Sequence, residues 1–245
     1  MRIALCLYGQ PRNFSNNWFF IAKNLIDGNN VDIFYHTWYD KNNLGINKLT
    51  PGHENINLEN DLFEKLLILD GVKKSKIEPQ LSFHSDKLIP TTEENINACW
   101  PWSVGKYDRD TFLKDRVMSN YSMWYSINQS ILMKELYSQE NNFEYDCVVI
   151  SRFDVSPKVK LDFSIFNLNN VVSGVPGLPR NEINDWFIIS NNKNSNIIGS
   201  VFYTIDYHRD KIVESGGVWT NEAYLRDQLK LFNVSVDYLD LNISF

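Results

Sequence analysis

Arg2 to Tyr8 (RIALCLY) is a nearly unbroken apolar run closed by Gly9-Gln10-Pro11-Arg12. That pattern predicts a strand buried on both faces, the habit of parallel sheets. Apolar positions at 18, 19, 21, 22 and 25 then follow a helical spacing between Phe14 and Leu25, which stops at Asp27-Gly28. Val31 to Trp38 (VDIFYHTW) reads as a second strand. Strand, helix and strand within ~40 residues make a βαβ unit with a right-handed crossover.

Lys41 to Asn57 is polar and aperiodic, a loop. Leu58 to Leu69 predicts a helix, and Ile77 to Phe83 a short strand. From His84 to Asp110 the pattern fails, with Trp100-Pro101-Trp102 in its middle. Aromatic residues in such a loop serve either as a lid or acceptor surface, or as a plug fixing the loop to the core. Asp110-Thr111 cap the strongest helix, in which Val117, Tyr121, Trp124, Ile127, Ile131 and Leu136 share a face as far as about Tyr137. Tyr145 to Ile150 (YDCVVI) is a buried strand that runs directly into Ser151-Arg152-Phe153-Asp154. Strands at Val171 to Val175 and Trp186 to Ile189, a helix from about Asn194 to Tyr207, a helix capped by Thr220-Asn221 and a final strand at Val234 to Leu241 complete the chain. With no repeat and no long polar linker, this is one α/β domain, its central sheet mostly parallel and flanked by helices.

Composition narrows the function classes. The 245 residues carry 24 Lys+Arg against 30 Asp+Glu, a formal charge of −6, which argues against a general nucleic-acid binder. At 43% hydrophobic and 22% charged residues the chain is neither disordered nor a disulfide miniprotein. Its three cysteines, Cys6, Cys99 and Cys147, form no CxxC or CxH pair, so no structural zinc site is expected. The apolar stretch after Met1-Arg2 is too short for a signal h-region, and no window approaches the ~18 apolar residues of a membrane span. The expectation is a cytoplasmic protein, at most peripheral to a membrane.

In open α/β sheets ligands bind beyond the carboxyl ends of the strands. The predicted strand ends carry Gly9-Gln10-Pro11-Arg12, His36-Thr37-Trp38 and Arg152-Phe153-Asp154, and Asn184-Asp185-Trp186 precedes a later strand. Asp154 can take one or two positions of a Mg²⁺ or Mn²⁺ ion, with Arg152 on phosphate or orienting Asp154; the bland alternative is a surface Arg–Asp pair. Gly9 permits close backbone approach and Arg12 can meet a phosphate bidentately, unless they form a plain turn. His36 shares a strand face with Asp32, Phe34 and Trp38, and a lone histidine there is more often a satisfied structural residue. Trp38 suits a nucleobase or the core. Asp185 and Glu222 are the candidates for acid–base work, Glu222 falling in a helix's first turn where capping is the alternative. Gly9 to Arg12 lacks both the GxGxxG spacing and the Lys-Ser/Thr of a P-loop.

The Gly-Gln-Pro-Arg strand end, the segment Val31-Asp-Ile-Phe-Tyr-His-Thr-Trp38, the helix containing Asn120-Tyr121-Ser122 and Tyr125-Ser126, the strand Tyr145 to Asp154 and Asn184-Asp185-Trp186 together resemble bacterial and viral glycan-locus proteins. Such proteins are similar to GT-A-fold glycosyltransferases, whose Asp-x-Asp binds a divalent metal and the pyrophosphate of a nucleotide-sugar. The resemblance, from Arg2 to about Leu229, implies a Rossmann-type GT-A-like domain with a nucleotide-binding half at about 1–155 and an acceptor half at about 156–245. It implies a nucleotide-sugar donor, a glycan or lipid-linked saccharide acceptor, and a divalent cation, Mn²⁺ or Mg²⁺, on Asp154. Arg152 replaces the first Asp and can stand in for part of that cation's charge. Gly9, Gln10 and Arg12 would line the nucleotide pocket, and His36 and Trp38 would lie near base or ribose. Asp185 would touch the sugar or acceptor, and Glu222 would be the base. The competing classes are a noncatalytic nucleotide- or sugar-binding relative and a nucleotidyltransferase.

Overall fold

The computed structural model describes residues 1–40, 58–59, 61–83, 92–100, 108–174 and 183–244. Strand β1 (Arg2–Gly9) leads into helix α1 (Phe14–Ile21), which loosens into a π-helical turn over Ala22–Ile26 before β2 (Asn30–Trp38). Helix α2 (Leu62–Leu67), β3 (Val72–Glu78) and α3 (Glu93–Cys99) follow, then α4 (Arg109–Glu140) and β4 (Cys147–Arg152). The second half has β5 (Ser156–Pro157), a 3-10 turn over Phe163–Ile165, β6 (Val171–Ser173) and β7 (Phe187–Ser190). Helices α5 (Asn192–Gly199), α6 (Val201–Glu214) and α7 (Asn221–Leu231) and strands β8 (Val236–Tyr238) and β9 (Ile243–Ser244) end it.

Seven strands form one sheet in the order β3-β2-β1-β4-β7-β6-β8, while β5 and β9 pair separately. All neighbours in the large sheet run parallel except β7, which is antiparallel to both β4 and β6. The sheet is thus mixed and mostly parallel, a Rossmann-like arrangement in general terms. Strand alternation sorts the core into two layers. Ala4, Cys6, Tyr8, Phe34, Val148 and Ile150 face Trp124, Ile127 and Ile131 of α4 and the α5–α7 layer. Ile3, Leu5, Leu7, Ile33, Tyr35, Cys147 and Val149 face Phe14, Ile21 and Leu25 around α1, and Leu62 and Leu66 of α2. Asp32, Phe34 and His36 therefore share a face, as the sequence alternation requires.

Several boundaries differ from the sequence expectations, each for a local reason. The third strand is Val72–Glu78 rather than Ile77 to Phe83, because an edge strand of alternating exposure carries Lys73, Lys74 and Lys76 and so hides its apolar rhythm. The helix expected over Leu58 to Leu69 is confined to α2. Asp108, not Asp110, caps α4, its carboxylate accepting from the Thr111 N–H at 3.1 Å. The helix expected from Asn194 to Tyr207 is two helices. At their junction Asn128 of α4 donates to the Gly199 carbonyl (3.0 Å) and Gln228 of α7 to the Ser200 hydroxyl (2.7 Å). Gly199 also abuts Ile131, whose Cδ1 would lie 3.0 Å from an added Cβ. The last expected strand shortens to β8, and helix α3 interrupts the segment expected to be aperiodic. The loop expected at Lys41 to Asn57 and the residues Pro101, Trp102 and Val175 lie outside the described residues.

Candidate functional site

The chain builds β1, β2 and β3 outward in one direction, then returns to place β4 on the other side of β1. This reversal makes the carboxyl ends of β1 and β4 a topological switch point, where open α/β sheets bind ligands. Tyr8 pairs with Arg152 across it, and Gly9 with Thr37 on the other side. Because β7 is antiparallel, its leading end reaches the same rim: Phe187 pairs with Ser151, and the Arg152 N–H donates to the Trp186 carbonyl at 3.1 Å. The first, fourth and seventh strands thus deliver Gly9 to Arg12, Arg152 to Asp154 and Asn184 to Trp186 to one edge.

Gly9 sits at φ 88°, a left-handed conformation that side-chain-bearing residues rarely adopt. Its N–H donates to Ser126 Oγ of α4 (2.8 Å) and its carbonyl accepts from Thr37 Oγ1 (2.8 Å), so this turn is fixed from both sides. Gln10 folds back, its carbonyl accepting from the Arg12 N–H at 2.9 Å and its side chain from Arg12 Nη2 at 3.4 Å. Arg12 Nε is buried with no hydrogen-bond partner. Burial lowers the Arg12 pKa, with the Asp154 carboxylate opposing that effect and Arg152 adding to it, which places the three charges in one another's field.

Arg152 grips Asp154 bidentately, Nε to Oδ1 at 2.7 Å and Nη2 to Oδ2 at 2.5 Å, and its guanidinium lies over the Trp186 ring. Burial disfavours the Arg152 charge, but the Asp154 carboxylate outweighs this and the pKa is raised. Both oxygens of Asp154 are therefore committed to a cation of the chain itself. Among the described residues no group of three or more His, Cys, Asp and Glu could hold a metal ion. Holding a divalent cation on Asp154 would require this pair with Arg152 to open.

Asp185 is only 2% exposed, and the Tyr8 hydroxyl donates to its carbonyl. Its carboxyl pKa is pushed up by burial first and the charge of Glu222 second, with Arg152 and Arg116 pulling the other way. One carboxyl oxygen, Oδ1, is buried and unpaired. Asn184 beside it is fully buried; its Oδ1 accepts from the Trp186 N–H at 2.7 Å while its Nδ2 has no partner. Glu222 occupies the first turn of α7, but Thr220 does the capping, accepting from the Ala223 N–H at 3.1 Å. That leaves the Glu222 carboxylate, half-buried, without a hydrogen bond to any described residue.

One participant escapes sequence reasoning. Arg116, on α4, is half-buried with its Nε enclosed and unpaired, and its pKa is lowered by burial against the opposing charges of Glu222 and Asp185. Its guanidinium lies over the Trp100 ring, centroid distance 5.5 Å. The signal available in the sequence was its spacing: Arg116 is one helical turn from both Phe112 and Asn120, which are buried. Trp100 itself packs against Phe112 and Trp219 and is buried, so it acts as the plug rather than as a lid.

His36 and Trp38 stand apart from the charged cluster. His36 is fully buried with Nδ1 2.7 Å from Ser126 Oγ and Nε2 2.9 Å from Glu78 Oε1. A carboxylate accepts, so Nε2 carries the proton and Ser126 donates to Nδ1 while receiving the Gly9 N–H. Burial pulls the His36 pKa down to about 4. Trp38 stacks on Tyr125 (5.4 Å, 23°) and is buried. His36 thus reaches the rim through Ser126 and the Gly9 turn.

No family model matches this sequence, and no curated protein is significantly similar to it. No helix among the described residues is long and apolar enough to cross a membrane.

Proposed function

We propose that the chain is a GT-A-like glycosyltransferase that moves a sugar from a nucleotide-diphosphate donor to a glycan or lipid-linked acceptor. The observation that carries this reading is the convergence of Arg12, Arg152 and Arg116 with Asp154, Asp185 and Glu222 at the switch point, with buried polar atoms of Arg12, Arg116, Asp185 and Asn184 left unpaired. Buried polar groups in folded proteins are normally satisfied, and orphans gathered at a strand-end crevice call for a polar ligand. Guanidinium groups match a diphosphate, and a mixed set of donors and acceptors matches sugar hydroxyls.

In this reading the Arg12 side chain and the Gly9–Arg12 turn bind the diphosphate, with Arg152 adding charge. The anomeric C–O bond breaks, and the diphosphate leaves with the electron pair into that positive field. The acceptor oxygen forms the new bond to the anomeric carbon as Glu222 takes its proton. Asp185, held toward its protonated form, donates to a sugar oxygen, and Arg116 balances Glu222. Guanidinium charge rather than a cation on Asp154 carries the leaving group. A screen of nucleotide-sugars that detects released nucleotide tests this: turnover of one donor, undiminished by chelator and lost in Glu222→Gln, is expected. Release with no donor would overturn it. The commitment of Asp154 to Arg152 favours one second reading, a noncatalytic nucleotide- or sugar-binding relative. Binding without turnover identifies that case.

A further inference from the structure

Helix α1 packs Phe14 and Ile21 into the core but also turns an apolar ring outward. Its inward positions include two amides: Asn17 accepts from the Ser156 hydroxyl at 3.1 Å, and Asn24, in the π-helical turn, donates to the Pro157 carbonyl at 2.7 Å. Its outward positions are the polar Ser15 and Asn16 and, toward its end, a phenyl ring. Phe19 is 60% exposed, with Phe20 edge-on beside it at 5.4 Å. An amphipathic helix of a water-facing layer keeps such a ring on its inward face. Two lysines border these rings, Lys23 over Phe19 (5.9 Å) and Lys158 over Phe20 (4.2 Å), and a third, Lys160, stands past the end of the π-helical turn, its Nζ 3.1 Å from where a Cβ on Gly28 would be. None of the three makes an ion pair with a described carboxylate, in a chain whose net charge is −6. Between two of them Val159 is 50% exposed. Of the nearby acidic groups, Asp162 is engaged by the Ser164 N–H (3.0 Å) and hydroxyl (2.6 Å), and Asp27, exposed next to Gly28, lies at the Lys160 end of the face without an ion pair to it.

We infer that this face docks on an anionic bilayer surface. Phe19, Phe20 and Val159 enter the headgroup boundary, and Lys23, Lys158 and Lys160 meet lipid phosphates. Exposed rings and aliphatics flanked by unpaired ammonium groups are complementary to an interface that is apolar below and negative above. A neutral surface would leave the lysines without counter-charge, and a nucleic acid would leave the apolar side chains in water. The inference is independent of the proposed chemistry, since none of these residues lies at the strand-end rim.

Co-sedimentation of the full chain with phosphatidylcholine vesicles, with and without phosphatidylglycerol, tests it. Binding only to the phosphatidylglycerol vesicles, weakening as salt rises, is expected. Replacing Lys158 and Lys160 together by Gln should weaken it by about 25-fold, about fivefold for each lysine. Phe19→Ser should weaken it by about tenfold or more. All substituted side chains are exposed or bordering, so circular dichroism should be unchanged. Absence of binding, equal partition onto both vesicles, or variants that bind like the parent chain would overturn the inference. So would a dimer in light scattering that Phe19→Ser abolishes, which would assign the face to a second copy.

Discussion

At the scale of single residues, Asp185 holds the most tension. Its burial and the neighbouring charge of Glu222 both disfavour a carboxylate, yet its Oδ1 has no donor to settle on. Keeping such a group costs stability, a cost borne at sites where function requires it. Because its folded pKa is raised, the acid form is favoured on folding, and stability is lost as pH rises past 3.8. Asp185→Asn removes the titration in nearly the same volume. It should raise the melting temperature at neutral pH while abolishing donor turnover; a lower melting temperature, or full turnover, would contradict the role given to Asp185. Asp185 was legible because it precedes a predicted strand at a rim. Arg116 was not, because a charge on a long helix reads as solvated until the partner elements are known.

At the scale of elements, β2 and α4 act on β1 through one polar chain, from Glu78 through His36 and Ser126 to the Gly9 N–H. Sequence alternation placed His36 correctly on its face, but nothing in the spacing disclosed Ser126, ninety positions away on α4. The same blindness covers Lys134, fully buried and donating to Asn192, Ser195 and Asn196 of α5, where a lysine ordinarily marks a wet surface. Such polar joints are specified by tertiary partners, not by local period. The His36 chain carries a pH signature. Its folded pKa of about 4 lies below the ordinary 6.5, so the unfolded chain binds the extra proton between those values. Stability should therefore fall as pH drops from 6.5 toward 4, by up to about 3 kcal/mol from this group. Denaturant titrations across that interval should show the decline, and His36→Gln should flatten it. An equal slope in both proteins would exclude His36 as its source.

At the scale of the whole molecule, the order of elements was largely legible, because strand runs such as RIALCLY and YDCVVI are unambiguous and their spacing demands crossovers. The reversed direction of β7 was not, since strand polarity in a sheet is decided by partners. That reversal matters, because it brings Asp185 to the rim occupied by Gly9 and Arg152. In the proposed reading the strand ends together act as an anion seat built from guanidinium groups at the switch point. Calorimetric titration of UDP, GDP and CMP into the chain and its Arg12→Ala variant, both in EDTA, tests that seat. One nucleotide should bind the parent chain with the chelator present, and the variant should bind it at least about tenfold more weakly. Binding of none of them, or equal binding to parent and variant, would contradict the seat.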